Sequence, residues 1–328
     1  MKVAILDGNN MSFAIYSQFK ESRGGLLKTS MGIPTTVIFG LLRTLDALVK
    51  KTEFDRIAIC WDVSGSYYRR KLYPLYKKHR KYIDMKDYFA ELDSARKYLE
   101  IFGINQCIAK GIEADDVMGY LAWSLKNQGH RVVIISNDKD FYQVLKKEDI
   151  RIYRPIMDHF KTERDIMEEF GVNPKQLIRM KALMGEDSDF IPGCLDVDET
   201  NMKLIKCKFG EAAAKKVLDG KKNLADAIDN CTIDKWKDRL KKKRKNIMMS
   251  YKLARIRTKE EMYEDWEKEL LKGLVDKAIQ QNQIKVKKVM RINSDLEIKL
   301  VNIPTVLRRL GVKVIGNVSG CIGGEIKT

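Results

Sequence analysis

Met1-Lys2-Val3-Ala4-Ile5-Leu6-Asp7 opens the chain with an apolar run that ends on an acid. Ile57-Ala58-Ile59-Cys60-Trp61 runs into Asp62 in the same way. Val132-Val133-Ile134-Ile135 continues through Ser136-Asn137 to Asp138, with Asp140 two residues further on. Short apolar runs rich in β-branched residues are the pattern of parallel strands covered on both faces. Helical patterns lie between them, at Thr36–Lys50 and Lys86–Phe102. Strands alternating with helices predict an α/β fold with a mainly parallel, Rossmann-like sheet flanked by helices. In such a sheet the carboxyl ends lie along one edge, so these acids converge on the crevice where α/β sheets place their ligands. One acid after a strand is ordinary turn chemistry, but three in step predict a site.

Two further acid groups stand outside the strands. Gly111-Ile112-Glu113-Ala114-Asp115-Asp116 opens the apolar helix Val117–Leu125. Acids in a first turn also favour the helix dipole, which is the plain structural reading. Glu113 and Asp116 share a face at i, i+3. Gly185-Glu186-Asp187-Ser188-Asp189 precedes Phe190-Ile191-Pro192-Gly193 and by itself reads as a turn. Gathered together, Asp7, Asp62, Glu113, Asp115, Asp116, Asp138, Asp140, Glu186, Asp187 and Asp189 could not all stay ionised without compensation. Ligation by oxygen alone selects Mg²⁺ or Mn²⁺, and two ions are expected, a pair that activates water and neutralises charge building on a phosphodiester.

The net charge is +17, from 62 Lys and Arg against 45 Asp and Glu, a field that attracts polyanions. It is clustered: residues 68–81 hold seven Lys and Arg, no acid and three tyrosines, and residues 235–259 hold twelve against the single acid Asp238. A solvated face normally mixes signs, whereas basic blocks with stackable rings suit phosphates and unpaired bases. The cysteines are scattered without a CxxC pair and the three histidines are isolated, which argues against a disulfide framework or a zinc site and for a reducing, cytoplasmic setting. No apolar run reaches the length of a membrane span, and the first strand meets Asp7 before a signal-peptide core could form.

In chain order the motifs are Leu6-Asp7-Gly8-Asn9, Gly32-Ile33-Pro34-Thr35, Trp61-Asp62, Tyr68-Arg69-Arg70, Tyr73-Pro74-Leu75-Tyr76-Lys77-Lys78-His79-Arg80, Gly111–Asp116, Ser136-Asn137-Asp138-Lys139-Asp140-Phe141 and Lys181–Gly193. With these the sequence resembles the 5′-nuclease, or flap endonuclease, superfamily, especially phage 5′-nucleases and the 5′–3′ exonuclease domain of bacterial DNA polymerase I. The likeness covers Met1 to about Gly210, and all motifs in order are far more specific than any one.

The resemblance implies a PIN-like nuclease domain over 1–165 with a helical arch at about 68–92. A helix-hairpin-helix DNA-binding subdomain over 166–245 follows, then a C-terminal extension, mostly helical and of uncertain fold, over 246–328. It implies that Asp7, Asp62, Glu113, Asp115 and Asp116 form a first metal site. Asp138 bridges to a second, made with Asp140 and the Gly185–Asp189 acids, Asp189 above all. Lys77 and Arg80 are expected on one face of the arch, touching the scissile phosphate, with Tyr76 stacked on an unpaired base. Arg69 and Arg70 either touch phosphate or pair with site acids. Gly32–Thr35 and the next helix correspond to a wedge against duplex ends, with Thr35 and Lys181 as candidate DNA contacts, although Val37, Ile38, Leu41 and Leu42 read as core. Lys241, Lys242, Lys243 and Arg244 complete the expected DNA contacts.

Two departures stand out. The family's Gly-Asp-x-x-Asp has Glu186 in the Asp position with Asp187 beside it, leaving open which is the ligand. The glycine-rich hairpin after Pro-Gly is replaced by Cys194-Leu195-Asp196-Val197-Asp198-Glu199-Thr200. Its acids would repel phosphate where glycines admit it, and the basic run at 235–259 is the expected compensation. The expectation is a monomeric, structure-specific 5′ nuclease acting on branched or nicked DNA or RNA–DNA hybrids, with replication proteins as candidate partners. A non-catalytic junction binder on the same fold is the alternative. A haloacid-dehalogenase-type phosphatase would need Asp where Asn9 stands.

Overall fold

The computed structural model describes residues 1–80, 85–205, 207–281, 283–285, 303–310 and 312–315. Its centre is a six-stranded sheet of β1 (Lys2–Asp7), β2 (Arg56–Trp61), β3 (Asn105–Ile108), β4 (Arg131–Ile135), β5 (Ile150–Arg154) and β6 (His159–Lys161), in the order β3-β2-β1-β4-β5-β6. Every pair is parallel except β5–β6. The predicted α/β sheet is therefore present, with one antiparallel edge strand.

Alternation along the strands builds two core layers. Ala4, Leu6, Ile57, Ile59, Val133 and Ile135 face helices α1 (Gly8–Glu21), α2 (Thr36–Lys51) and α4 (Lys86–Ile101). Val3, Ile5, Ala58, Cys60, Val132 and Ile134 face α5 (Ala114–Asn127) and α12 (Asp265–Ile279). Register sets the functional edge: Asp7 pairs with Cys60 and Leu6 with Ile135, so the chain emerges at one edge just before Asp62 and Asp138.

The basic block at 68–81 is not one helical arch among the described residues. Helix α3 (Tyr67–Leu72) ends early, 74–79 are turns, and Lys77 has φ 54°, the left-handed region that no helix interior uses. Beyond the undescribed 81–84, α4 buries Tyr88, Leu92, Ala95 and Leu99 in the core rather than standing over the site. Val37, Ile38, Leu41 and Leu42 are wholly buried, as the core reading required. Thr35 is only 5% exposed and its side chain does not cap α2, so its assignment as a DNA contact is withdrawn. Thr36 instead donates to Glu91 Oε1 at 2.6 Å.

Helices α6 (Glu163–Phe170), α7 (Pro174–Met184), α8 (Glu211–Leu218), α9 (Leu224–Asp229), α10 (Asp234–Lys242) and α11 (Arg244–Ala254) follow the sheet. Pro174 at the first position, with Asn173 and Gln176 in a capping box, starts α7. Leu183, Val217, Leu224, Ile228, Trp236, Leu240 and Ile247 form a helical core of their own. The predicted boundary at 245 falls inside α11, and α12 returns to pack on α5 and the sheet. Toward the C-terminal end, β9 (Gln283–Lys285) and β10 (Lys313–Ile315) form a parallel pair beside α13 (Ile303–Arg309); 286–292 and 316–318 lie outside the described residues. No described helix is long and apolar enough to cross a membrane.

Candidate active site

Each sheet acid is held by the turn that follows its strand. Asp7 ends β1 and caps α1, its Oδ1 accepting from the Asn10 N–H at 3.1 Å and its Oδ2 from Ser136 Oγ at 2.8 Å. Asp62 accepts from the N–H of Ser64 and of Gly65, at 3.2 and 2.9 Å. Asn9 ties the two turns together, taking the Asp62 N–H on Oδ1 at 2.7 Å and donating to the Asp62 carbonyl at 3.2 Å. Gly8 between them has no alternative, since a Cβ there would lie 2.3 Å from the Trp61 ring. Asp138 opens a short 3₁₀ turn, accepting from the Asp140 N–H at 2.8 Å.

These turns, the start of α5, the end of α7 and the loop after it surround a cavity of about 610 Å³ lined by Asp7, Asp62, Asp115, Asp138, Asp140, Glu186 and Asp189. Lys77, Arg80, Lys139 and Lys181 line the same cavity. The protein's own cations bridge its acids. Lys77 Nζ lies 2.8 Å from Glu113 Oε1 and 3.6 Å from Asp189 Oδ2; Arg80 Nη2 lies 2.5 Å from Asp189 Oδ1. Lys181 Nζ lies 2.6 Å from Asp140 Oδ2 and 2.7 Å from Glu186 Oε2. Lys77 and Arg80 thus meet at the Asp189 carboxylate, and they do so from a turn and not from a shared helix face.

Burial and crowding dominate the electrostatics. Burial pushes Asp7 up to about 6 despite the Asn10 and Ser136 hydrogen bonds. It raises Asp140 to about 6 even with Lys181 alongside. Asp115 is driven well above the ordinary carboxylate range by burial and then by the Asp7 and Asp138 charges. Asp62 is raised chiefly by burial. Asp189 goes the other way: burial opposes its charge, but Lys77 and Arg80 hold it below the usual range. Burial likewise disfavours the Lys77 ammonium, yet Glu113 keeps it firmly charged.

Several predicted ligands and contacts sit elsewhere. Asp116 is fully buried between Arg69 and Arg257 and does not line the cavity, so its assignment as a metal ligand is corrected to an ion-pair role. Burial would raise it, but the two guanidiniums hold it down to about 2. Arg69, 3% exposed, pairs with Asp116 and Glu113, which settles its two readings against DNA contact. Arg70 is exposed on α3. Glu113 is buried just behind the wall, in contact with Lys77. Asp187 is exposed and off the cavity, whereas Glu186 lines it. Tyr76 is 4% exposed, with its hydroxyl 3.3 Å from Glu113 Oε2 and 3.1 Å from Asp189 Oδ2; a buried ring cannot stack on a base, and that expectation is withdrawn for this conformation. Sequence reasoning missed Asn9, Asn10, Ser136 and Arg257. Asn9 and Ser136 stand inside the acid motifs without a role given to them, but nothing marks Arg257 within its basic run.

Where glycines were expected after Pro192-Gly193, β7 (Asp196–Asp198) and β8 (Lys203–Ile205) form an antiparallel hairpin. Asp196 pairs with Arg239 at 2.9 Å and Lys243 at 2.5 Å, and Arg244 pairs with Asp229 at 2.9 Å. Arg239 and Lys243 of the basic run are thus taken up by the hairpin acid Asp196. Lys241 and Lys242 remain exposed.

Residues 2–171 match the family model of the 5′-3′ exonuclease N-terminal resolvase-like domain. The chain belongs to the 5′–3′ exonuclease family. It is 32% identical over 260 residues to a 5′-3′ exonuclease of Buchnera aphidicola from Acyrthosiphon pisum, covering 78% of this chain and 86% of that protein. It is 30% identical over 263 residues to DNA polymerase I of Synechocystis, covering 77% of this chain and 25% of the polymerase. The fold matches the T5 5′-exonuclease solved with bound zinc, at 19% identity and TM-score 0.68, over 85% of this chain and 100% of that one. This 5′ nuclease therefore shares its family's α/β architecture, and the phosphatase reading falls away.

Proposed function

We propose that this 5′ nuclease cuts phosphodiesters at branched or nicked DNA, flaps and RNA–DNA junctions included, with two Mg²⁺ or Mn²⁺ ions held by the cavity carboxylates. The observation that carries the reading is the cavity itself: seven acids line it, four of them pushed above their ordinary pKa. A hard dication relieves that strain, and an all-carboxylate donor set is the one such ions prefer. Among the described residues no three acid, histidine or cysteine side chains already stand close enough to share an ion. Loading therefore requires Lys77 and Lys181 to yield the carboxylates they now bridge.

Asp7, Asp62 and Asp115 would hold one ion, and Asp140, Glu186 and Asp189 the other, with Asp138 between. Bound metal supplies an activated water and charge neutralisation at the reacting phosphate. Lys77 and Arg80, freed from Glu113 and Asp189, bind and orient that phosphate. The exposed Lys241 and Lys242 and the α3 arginine Arg70 supply sequence-independent backbone contacts. Such an activity suits removal of flaps or RNA primers during DNA replication.

The test is cleavage of 5′-labelled flap, nicked and RNA-primed duplexes with Mg²⁺, Mn²⁺ or a chelator. Short labelled 5′ products that vanish with chelator support the reading. Tight binding without cutting under every metal condition establishes the junction binder instead.

A further inference from the structure

A buried chain of alternating charge links the C-terminal part of the described molecule to the cavity wall. Arg257 is 1% exposed. Its Nη1 and Nη2 grip Glu267 on α12, both at 2.9 Å, and its Nε reaches Asp116 Oδ2 at 2.8 Å. Tyr68 and Tyr263 cover the guanidinium, with ring centroids 4.6 and 4.2 Å from it. Asp116 in turn receives both Nη atoms of Arg69, at 2.6 and 2.9 Å. The same Arg69 Nη1 is 2.9 Å from Glu113 Oε2, and Glu113 holds Lys77 at the cavity. Arg69 is fixed from behind by the carbonyls of Leu253 and Arg255, at 2.8 and 3.1 Å.

Arg69 Nη1 is thus shared between two carboxylates. That sharing holds only while Asp116 has a second cation. Without Arg257, the full charge of Asp116 falls on Arg69, which is drawn away from Glu113. Glu113 then pulls harder on Lys77, and Lys77 must move before a dication can enter. Neighbours behind a metal site that orient its groups affect affinity in just this way.

We propose that Arg257, anchored by Glu267, is a positioning residue that sets the cavity's affinity for divalent cations through Asp116, Arg69 and Glu113. The inference rests on the cavity being a cation site. Calorimetric titration of the full chain with Mn²⁺ tests both. The double variant Arg257→Met/Glu267→Met removes two buried charges together, which spares the fold the cost of an orphaned ion. We expect it to unfold cooperatively and to bind Mn²⁺ ~10-fold more weakly. Arg257→Lys, which keeps the cation on Asp116, should restore affinity to within about threefold. Should the double variant fail to fold, Arg257→Gln decides by the same affinity measurement. Wild-type protein that takes up no Mn²⁺ sinks the cation-site reading itself. Wild-type binding with an unchanged constant in the charge-removed variant, whatever its melting temperature, overturns the role of Arg257 alone.

Discussion

Asp115 and Asp116 are joined by one peptide bond at the start of α5, yet one faces the cavity acids while the other is clasped by two guanidiniums. Burial drives the first well above the carboxylate range; Arg69 and Arg257 hold the second at about 2 in spite of burial. The lesson is that burial alone does not fix an acid's charge. An acid buried among acids is unsatisfied until something positive arrives from outside, and an acid buried among arginines is already complete. The first arrangement suits an incoming cation; the second ties the start of α5 to its neighbours.

The largest effect should come from breaking the first arrangement. Asp115→Asn is expected to lower single-turnover cleavage ~10³-fold while raising the melting temperature of the metal-free protein, because a repelled charge is removed. A metal-free protein that melts lower would show that Asp115 is not under like-charge stress. Lys77→Ala should cost ~10²-fold in the same assay with the fold intact; an unchanged rate removes Lys77 from the phosphate.

Asp116→Asn inverts the pattern. It takes one carboxylate from each of two buried guanidiniums, which keep Glu113 and Glu267, and should cost ~3 kcal/mol of stability, measured by denaturant unfolding, with less loss of cleavage per folded molecule than Asp115→Asn.

The two environments also respond oppositely to pH. Asp7 and Asp140 titrate near 6 in the folded chain against an ordinary value of 3.8, so their contribution to metal-free stability is present in acid and is lost as pH rises through about 6. Asp116 contributes above 3.8 and loses its contribution only as pH falls toward 2. Metal requires the ionised acids, so Mn²⁺ affinity should fall below pH 6, ~10-fold per pH unit for each proton displaced. Affinity that is flat from pH 7 to pH 5 would contradict the raised acids. The smallest effect is expected from Asp187→Asn, which should stay within about twofold of wild type, whereas Glu186→Gln weakens metal binding.

The sheet and its acidic edge were legible because β-branched runs ending in acids leave few other folds. Asp7, Asp62, Asp138 and Asp140 sit where strand ends must place them. Asp116 was not legible, because its partner Arg257 is 141 residues away and looks like any other cation in a basic run. Its i, i+3 relation to Glu113 was real, but Arg69 rather than a cavity joins the two. Tyr76 misled in a similar way: tyrosines among lysines read as base-stacking groups, and only packing against Ile178, Ile191 and Leu253 shows this ring to be interior. The separation of Glu186 from Asp187 depends on loop geometry that composition does not encode.

That loop is pinched shut. The Glu186 and Ile191 backbones exchange hydrogen bonds at 2.8 Å, and a Cβ on Gly193 would lie 2.3 Å from the Gly185 nitrogen. Main-chain bonding, and not side-chain preference, therefore dictates how far Glu186 stands from Asp189. Evolution can exchange one acid for a longer one here, but it cannot lengthen the loop without unfastening both ends, so variation in this corner should appear as altered reach and never as insertions.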